Sequence, residues 1–154
     1  MENLKVSDLC HPCSLAFFVR ENDGIEAAIR RFASQPEVHA LFVVDEERKL
    51  KGLVKIRHLL NWVRLKLGVS RERRNITVDE AFDVVKLSQS NKIGDIISPA
   101  VSVKQDDLLA HALNLMANEE LVELAVIDNN DKLIGEVKLT GIMSYLLNSG
   151  FESK

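Results

Sequence analysis

Residues 49–55 read KLKGLVK, and residues 132–138 repeat them as KLIGEVK. A second pair lies upstream of these motifs, where KVSDL at 5–9 returns as KIGDI at 92–96. Duplicated units that keep one apolar pattern usually pack about a pseudo-twofold axis, and ligands tend to bind in the groove between such copies. The sequence therefore predicts two similar repeats with functional sites between them.

The bulk composition is that of an ordinary water-soluble globular protein. The 154 residues are 46% hydrophobic and 28% charged, and the net charge is −3. This charge argues against nucleic acid or an anionic membrane as a general partner. The first residues lack the apolar core of a secretory signal, and no apolar run approaches the ~20 residues of a membrane helix. Two cysteines in such a chain favour reduced thiols and a cytoplasmic location, without membrane insertion.

Each repeat has the pattern β-α-β-β-α, which predicts a mixed α/β (α+β) fold. We expect the first repeat over residues 1–67, a connector with a short helix over 68–91, and the second repeat over 92–150. Asp23 and Asp106 are predicted to cap the helix that follows the first strand of each repeat. The expected strands cover residues 17–19, 40–44, 50–55, 101–103, 123–128 and 132–138, and the expected helices cover 24–34, 56–67, 107–118 and 139–148.

The helix over 56–67 has more apolar residues than one buried face needs. One face is predicted to enter the core; it carries Ile56, Leu59, Leu60, Val63 and Leu67. Trp62 and Leu65 fall on the opposite side, where an isolated domain would favour polar residues. Two explanations stay open, namely cover by the connector helix and a homodimer interface.

The tandem order of these elements, with Gly-hydrophobic-Val before each last helix, resembles the cystathionine-β-synthase (CBS) domain pair, or Bateman module. The resemblance rests on residues 52–60, 95–99 and 135–143 and covers the chain apart from the connector. It implies a disc-like homodimer whose clefts bind AMP, ADP, ATP or S-adenosylmethionine. It also implies a regulatory role toward an attached or associated enzyme or transporter.

The chain departs from the adenosine-binding pattern of that family at the positions after Gly-hydrophobic-Val. The family carries Thr or Ser there, with an Asp three residues later that accepts hydrogen bonds from the ribose hydroxyls. Here the first position is Lys55 or Lys138, and the second is His58 or Gly141. The lysines are candidates for holding a phosphate, and the alternative is that they are solvated residues at strand ends.

Two further segments contribute candidate ligand-binding residues. The resemblance implies that the segment around the second proline lines a ligand cleft, with Ile97, Ser98, Pro99 and Val101 as its residues. His11 occupies the corresponding place in the first repeat, inside Cys10-His11-Pro12-Cys13. Zinc or redox chemistry at this C-x-x-C is the less favoured alternative because the ligands of a four-coordinate site are lacking. No metal site is therefore predicted.

Catalysis finds no support in the spacing of nucleophiles, bases or phosphate loops. The sequence thus favours a non-enzymatic regulatory module that requires no cofactor and binds a small anionic ligand, with an adenine nucleotide as the first candidate. The alternative is a ligand-free module that dimerises or docks onto another protein.

Overall fold

The computed structural model describes residues 3–12, 18–68 and 91–150. These residues form six strands and four α-helices, together with three short 3-10 helices. The strands are β1 (Phe18–Arg20), β2 (Ala40–Val44), β3 (Leu50–Lys55), β4 (Ser102–Lys104), β5 (Glu123–Ile127) and β6 (Leu133–Lys138). The α-helices are α1 (Ile25–Ser34), α2 (Leu60–Lys66), α3 (Leu109–Glu119) and α4 (Leu139–Asn148), and the 3-10 helices are Val6–Asp8, Ile56–Leu59 and Ile93–Asp95.

The strands form two three-stranded sheets of identical order, β1-β2-β3 and β4-β5-β6. In each sheet the first two strands are parallel, with Phe18 opposite Phe42 and Ser102 opposite Ala125. A parallel pair needs a crossover, which α1 and α3 supply. The strands β5 and β6 are antiparallel. The predicted mixed α/β fold with two β-α-β-β-α repeats is confirmed.

The chain divides into two compact units that cut across the sequence repeats. The β1–β3 unit comprises residues 15–46 and 51–99, and the β4–β6 unit comprises 1–14, 47–50 and 100–154. Each repeat begins with what we call its leading segment, residues 5–12 or 92–99. Each leading segment belongs to the unit formed by the other repeat. The compact units therefore differ from the sequence boundaries 1–67 and 92–150.

The core of the β1–β3 unit is an apolar cluster between α1 and the sheet. It holds Val19, Ile25, Ala28, Phe32, Val38, Leu41, Val43, Val54 and Leu59, all buried. The leading segment of the second repeat adds Ile93, which is 0% exposed, and Ile96. A backbone hydrogen bond of 2.9 Å from Ile93 N to Asp23 O fixes its place. Burial of these side chains is the main favourable contribution to folding.

The core of the β4–β6 unit is built in the same way. It holds Val6, Val103, Leu109, Ala112, Met116, Leu124, Val126, Val137 and Ile142. Val6 comes from the leading segment of the first repeat, and Val6 N donates a 2.9 Å hydrogen bond to Asp107 O. Residues 47–50 join this unit because Leu50 N donates to Asp131 O and Leu133 N donates to Arg48 O, both at 3.0 Å.

The helix after β3 differs from its prediction. Of the five residues assigned to the core, only Leu59 is buried, whereas Leu60 is 59% exposed and Leu67 is 73% exposed. Trp62, expected on the outer side, packs against the core. The reason is the 3-10 turn Ile56–Leu59. Because a 3-10 helix has 3.0 residues per turn, the side chains of α2 point in other directions than they would in one continuous α-helix. The Leu65 side chain and the predicted connector helix lie outside the described residues.

Neither Asp23 nor Asp106, the two aspartates predicted to cap helices, is the N-cap residue of its helix. The N-cap residues are Gly24 for α1 and Leu108 for α3, and neither makes a side-chain capping bond. Asp23 Oδ2 instead accepts a 3.0 Å hydrogen bond from Arg20 N, which closes the turn after β1. Among the described residues, no helix is long and apolar enough to cross a membrane.

Candidate functional site

Each leading segment crosses the last strand of the sheet in its unit through one antiparallel pair of residues. Ser98 pairs with Leu53, with Leu53 N donating to Ser98 O at 3.0 Å and Ser98 N donating to Leu53 O at 2.8 Å. His11 pairs with Glu136 in the same way, at 2.9 and 2.8 Å. We call these places the Ser98 crossing and the His11 crossing. They lie at equivalent positions of the two repeats.

The close approach of the backbones explains the glycine of the repeated motif. A Cβ atom at Gly52 would lie 2.7 Å from the carbonyl oxygen of Ser98. A Cβ atom at Gly135 would lie 2.6 Å from both the carbonyl oxygen of His11 and the Sγ atom of Cys10. Distances this short are repulsive, so only glycine allows a leading segment to lie against its strand.

The Ser98 crossing collects hydrogen-bond donors. Lys55 N–H donates a 3.2 Å hydrogen bond to His58 Nδ1, at the start of the 3-10 helix that follows β3. Because Nδ1 accepts, the proton of the neutral imidazole lies on Nε2, which is 3.3 Å from Ser98 Oγ. The Nε2–H group donates to Ser98 Oγ, and the serine hydroxyl can then donate to another group.

Lys55 brings a positive charge to this crossing. Its side chain is half-buried. Across the described parts of the chain, no carboxylate lies within ion-pair distance of its ammonium group. The imidazole N–H is occupied by Ser98 Oγ, so the donors that remain are the ammonium group and the serine hydroxyl. This pair is suited to a phosphate or another oxyanion.

The His11 crossing has a different chemistry because it contains a carboxylate. Glu136 is 3% exposed and its Oε1 atom lies 3.4 Å from Lys138 Nζ. Burial raises the pKa of the Glu136 carboxyl above its usual value, and the charges of Lys138 and His11 act in the opposite direction. Burial likewise raises the pKa of the neighbouring Cys10 thiol, which favours its neutral form.

Space beside this crossing is left by Gly141 in the first turn of α4. A Cβ atom built at Gly141 would have only His11 Nε2 within 4 Å, at 3.9 Å. The corresponding position of the other repeat carries His58. Each crossing therefore has one imidazole, supplied by the helix in one unit and by the leading segment in the other.

The predicted site residues divide between the two units. Ile97 and Ser98 lie at the Ser98 crossing with Lys55 and His58. His11 and Lys138 lie at the His11 crossing. The other two predicted site residues are Pro99, which is exposed, and Val101, which packs against the core of the β4–β6 unit.

Glu136 was not among the predicted site residues. The sequence signal that could have identified it is the contrast with Leu53, because a glutamate replaces an aliphatic residue inside an otherwise matched strand motif. For the C-x-x-C, Cys10 packs against Gly135, and Cys13 lies outside the described residues. Within the described ranges, no three His, Cys, Asp or Glu side chains are grouped as metal ligands would be.

Comparison with known proteins agrees with this architecture. The family model of the CBS domain matches residues 6–65 and 93–148. Among curated proteins, Protein SDS23 of Candida albicans is 30% identical over 106 residues, which are 68% of this chain. The chain spans only 15% of the length of that relative.

Two solved structures show the same fold at low sequence identity. The first is CBSX2 in complex with AMP, a CBS-pair protein of Arabidopsis thaliana, with a TM-score of 0.76, 21% identity and coverage of 96% of this chain and 99% of that chain. The second is the cytosolic domain of the Mg²⁺ channel MgtE in complex with ATP, with a TM-score of 0.63, 23% identity and coverage of 94% and 50%. The chain belongs to the CBS domain family, as a tandem pair of CBS domains.

Proposed function

We propose that this chain is a non-enzymatic regulatory module of the cytoplasm that binds an adenine nucleotide and requires no other cofactor. The observation that carries the proposal is the pair of donors at the Ser98 crossing: the Lys55 ammonium group, which has no carboxylate within ion-pair distance among the described residues, and the Ser98 hydroxyl, which lies 3.3 Å from His58 Nε2. Structural neighbours in complex with AMP and ATP support the choice of an adenine nucleotide.

The proposed mechanism is a shift between conformations of the module. The phosphate binds the Lys55 ammonium and the hydroxyl of Ser98, and the ligand favours the conformation in which these groups converge. A ligand can move such an equilibrium only by the difference between its affinities for the two states. The regulated partner would be an enzyme or a transporter, and the channel domain among the structural neighbours is one case of such an attachment.

Thermal unfolding against AMP, ADP, ATP, S-adenosylmethionine, NAD and inorganic phosphate tests the proposal. One adenine nucleotide should stabilise the protein by about 2.7 kcal/mol at a hundredfold excess over its Kd. Lys55→Ala should remove this response. Lys51→Ala is the matched control because it removes the same charge from the same strand, where Lys51 pairs with Asp45 at 3.7 Å.

Each other outcome of this experiment has a definite meaning. An equal response to phosphate and to nucleotide would show a general anion site and contradict the adenine assignment. An unchanged response in Lys55→Ala would place the ligand elsewhere. A flat response across the panel would overturn nucleotide binding and leave the docking module as the favoured function.

A second proposal, compatible with the first, is a homodimer formed through the last helices of the repeats. Equivalent residues Leu60 and Met143 are 59% and 51% exposed, and Leu147 on α4 is 79% exposed. An apolar groove of about 490 Å³ lies beside α2, lined by Ile29, Phe32, Ala33, Ile56, Leu60 and Val63. Exposed apolar surface of this kind is typical of interaction sites.

Sedimentation analysis of Leu60→Glu tests this second proposal. We expect the unchanged protein to sediment as a dimer at micromolar concentration, and Leu60→Glu to shift the equilibrium toward monomer at least tenfold. Leu108→Glu is the control, since Leu108 is 48% exposed but is the N-cap residue of α3 and belongs to neither α2 nor α4. A monomeric unchanged protein would contradict the homodimer.

A further inference from the structure

The three 3-10 helices in the described part of the chain begin with the same kind of hydrogen bond. A lysine precedes each helix, and its backbone N–H donates to the side chain three residues later. Lys5 N–H donates to Asp8 Oδ2 at 2.8 Å, and Lys92 N–H donates to Asp95 Oδ2 at 3.2 Å. An ionised carboxylate only accepts hydrogen bonds, so such a bond does not depend on a proton near neutral pH.

The third helix, Ile56–Leu59, has a histidine in place of the aspartate. Lys55 N–H donates a 3.2 Å hydrogen bond to His58 Nδ1. An imidazole nitrogen accepts only while it carries no proton, and imidazole ordinarily takes up its second proton at about pH 6.5. The Nδ1–H group of the charged ring would face the Lys55 N–H group, donor against donor. This bond therefore depends on pH, unlike the two bonds that aspartates accept.

The same ring also contacts the leading segment of the second repeat. His58 Nε2 is 3.3 Å from Ser98 Oγ, on the segment that lies against Gly52 of β3. Because the imidazole ring is rigid, a rotation that takes Nδ1 away from Lys55 N–H also takes Nε2 away from Ser98. All four residues belong to the β1–β3 unit. Uptake of one proton thus breaks two side-chain contacts within that unit.

We propose that His58 is a proton-binding switch, in which the neutral ring closes the 3-10 turn and the protonated ring leaves it. The turn lies between β3 and α2 and determines the direction in which the α2 side chains point. Leu60 and Val63 of α2 line the apolar groove of this unit, so the change reaches a candidate interaction surface. The ligand of this switch is a proton, and the switch is independent of the proposed nucleotide.

The second repeat has no counterpart of this switch. The position equivalent to His58 is Gly141, which has no side chain to accept a hydrogen bond. At the start of α4, the N-cap residue Lys138 accordingly makes no side-chain capping bond. The response to acid is therefore expected in the β1–β3 unit.

The charged groups around the ring influence the pH at which it takes up the proton. They lie on β3, the 3-10 helix, α2, the leading segment and the stretch 37–39, where His39 O accepts a 2.8 Å hydrogen bond from Ile56 N. The cations are Lys51, Lys55, Arg57, Arg64, Lys66 and Lys92, and the acidic groups are Glu37, Asp95 and Asp45, which pairs with Lys51. The cations outnumber the carboxylates, which favours the neutral ring. We therefore expect the switch to act in moderately acidic solution.

Amide exchange followed by NMR tests the switch inside one molecule. Between about pH 7.5 and about pH 5, the protection of Lys55 N–H should fall at least tenfold as the His58 ring titrates. Lys92 N–H is the internal control, because Asp95 accepts its bond in the same unit, and its protection should change less than threefold. Equal behaviour of the two amides would overturn the inference. A His58 ring that stays neutral down to about pH 5 would overturn it as well.

Two variants distinguish a switch from a purely structural role. Because the native turn holds the neutral ring, the unfolded chain binds more protons in acid, and stability should fall as the pH decreases. His58→Asp copies the acceptor of the other two turns, so its Lys55 amide should stay protected and its urea midpoint should lose at least half of this pH dependence. His39→Asp makes the same substitution at an exposed neighbour and should keep the full dependence.

The variants also give results that would contradict the switch. A urea midpoint that falls as steeply in His58→Asp as in the unchanged protein would overturn the inference, and so would an equal loss of pH dependence in His39→Asp. If His58→Asp fails to fold, the comparison of the Lys55 and Lys92 amides in the unchanged protein still decides the question.

Discussion

Gly135→Ala is expected to lower the free energy of unfolding by about 3 kcal/mol, because the new methyl group meets backbone at the His11 crossing. The built Cβ atom lies 2.6 Å from the carbonyl oxygen of His11 and from Cys10 Sγ. The thiol can rotate away. The carbonyl cannot, since it accepts the hydrogen bond from Glu136 N that holds the leading segment. Urea unfolding followed by circular dichroism measures the change.

Gly141→Ala is the matched control for this prediction. Its new Cβ atom would be 3.9 Å from His11 Nε2, an ordinary contact distance. Gly141 also lies inside α4, where alanine is favoured over glycine by about 1 kcal/mol. The control should therefore be neutral or stabilising. A loss for Gly135→Ala no greater than that for Gly141→Ala would show that the crossing is not closely packed.

Much of the fold could be predicted because the chain repeats its apolar pattern. The six predicted strands agree with the observed ones to within one residue at each described end, as for 123–128 against Glu123–Ile127. Apolar runs bounded by polar turns are a strong local signal for strands, and the duplication meant that each strand could be recognised in both repeats.

What could not be predicted depends on packing rather than on pattern. The prediction of which side of α2 faces the core was wrong. A single 3-10 turn between β3 and α2 rotates every later side chain about the helix axis, and no residue type marks such a turn. The prediction that Asp23 caps α1 was wrong because an aspartate before a helix can close the preceding turn as well as it can cap the helix.

The candidate site was partly visible in the sequence. The lysine and histidine positions followed from the family motif, and the structure places them at the two crossings. The buried state of Glu136 was not readable, because a glutamate in a strand is usually solvent-facing and only the fold shows what covers it. Nor does sequence order reveal which repeat receives each leading segment.

Ile93→Ala is expected to lower the free energy of unfolding by about 2–5 kcal/mol, the range for truncating a fully buried aliphatic side chain. Ile93 is 0% exposed and packs in the core cluster of the β1–β3 unit, although in sequence it belongs to the second repeat. The lost contacts therefore belong to the first repeat. Chemical unfolding gives the size of the effect.

Hydrogen exchange shows which of the two units Ile93→Ala destabilises. Ile93→Ala should speed amide exchange in β2 and β3, around Val43 and Val54, more than in β5 around Leu124, because the cavity opens in the β1–β3 core. Ile56→Ala is the control, since Ile56 is 42% exposed in the same unit and its truncation should cost less than 1 kcal/mol. Faster exchange confined to β5 and β6 would mean that the leading segment packs with its own repeat. That result would also contradict the close contact between Gly52 and Ser98, because this contact likewise requires the leading segment of the second repeat to pack against the first repeat.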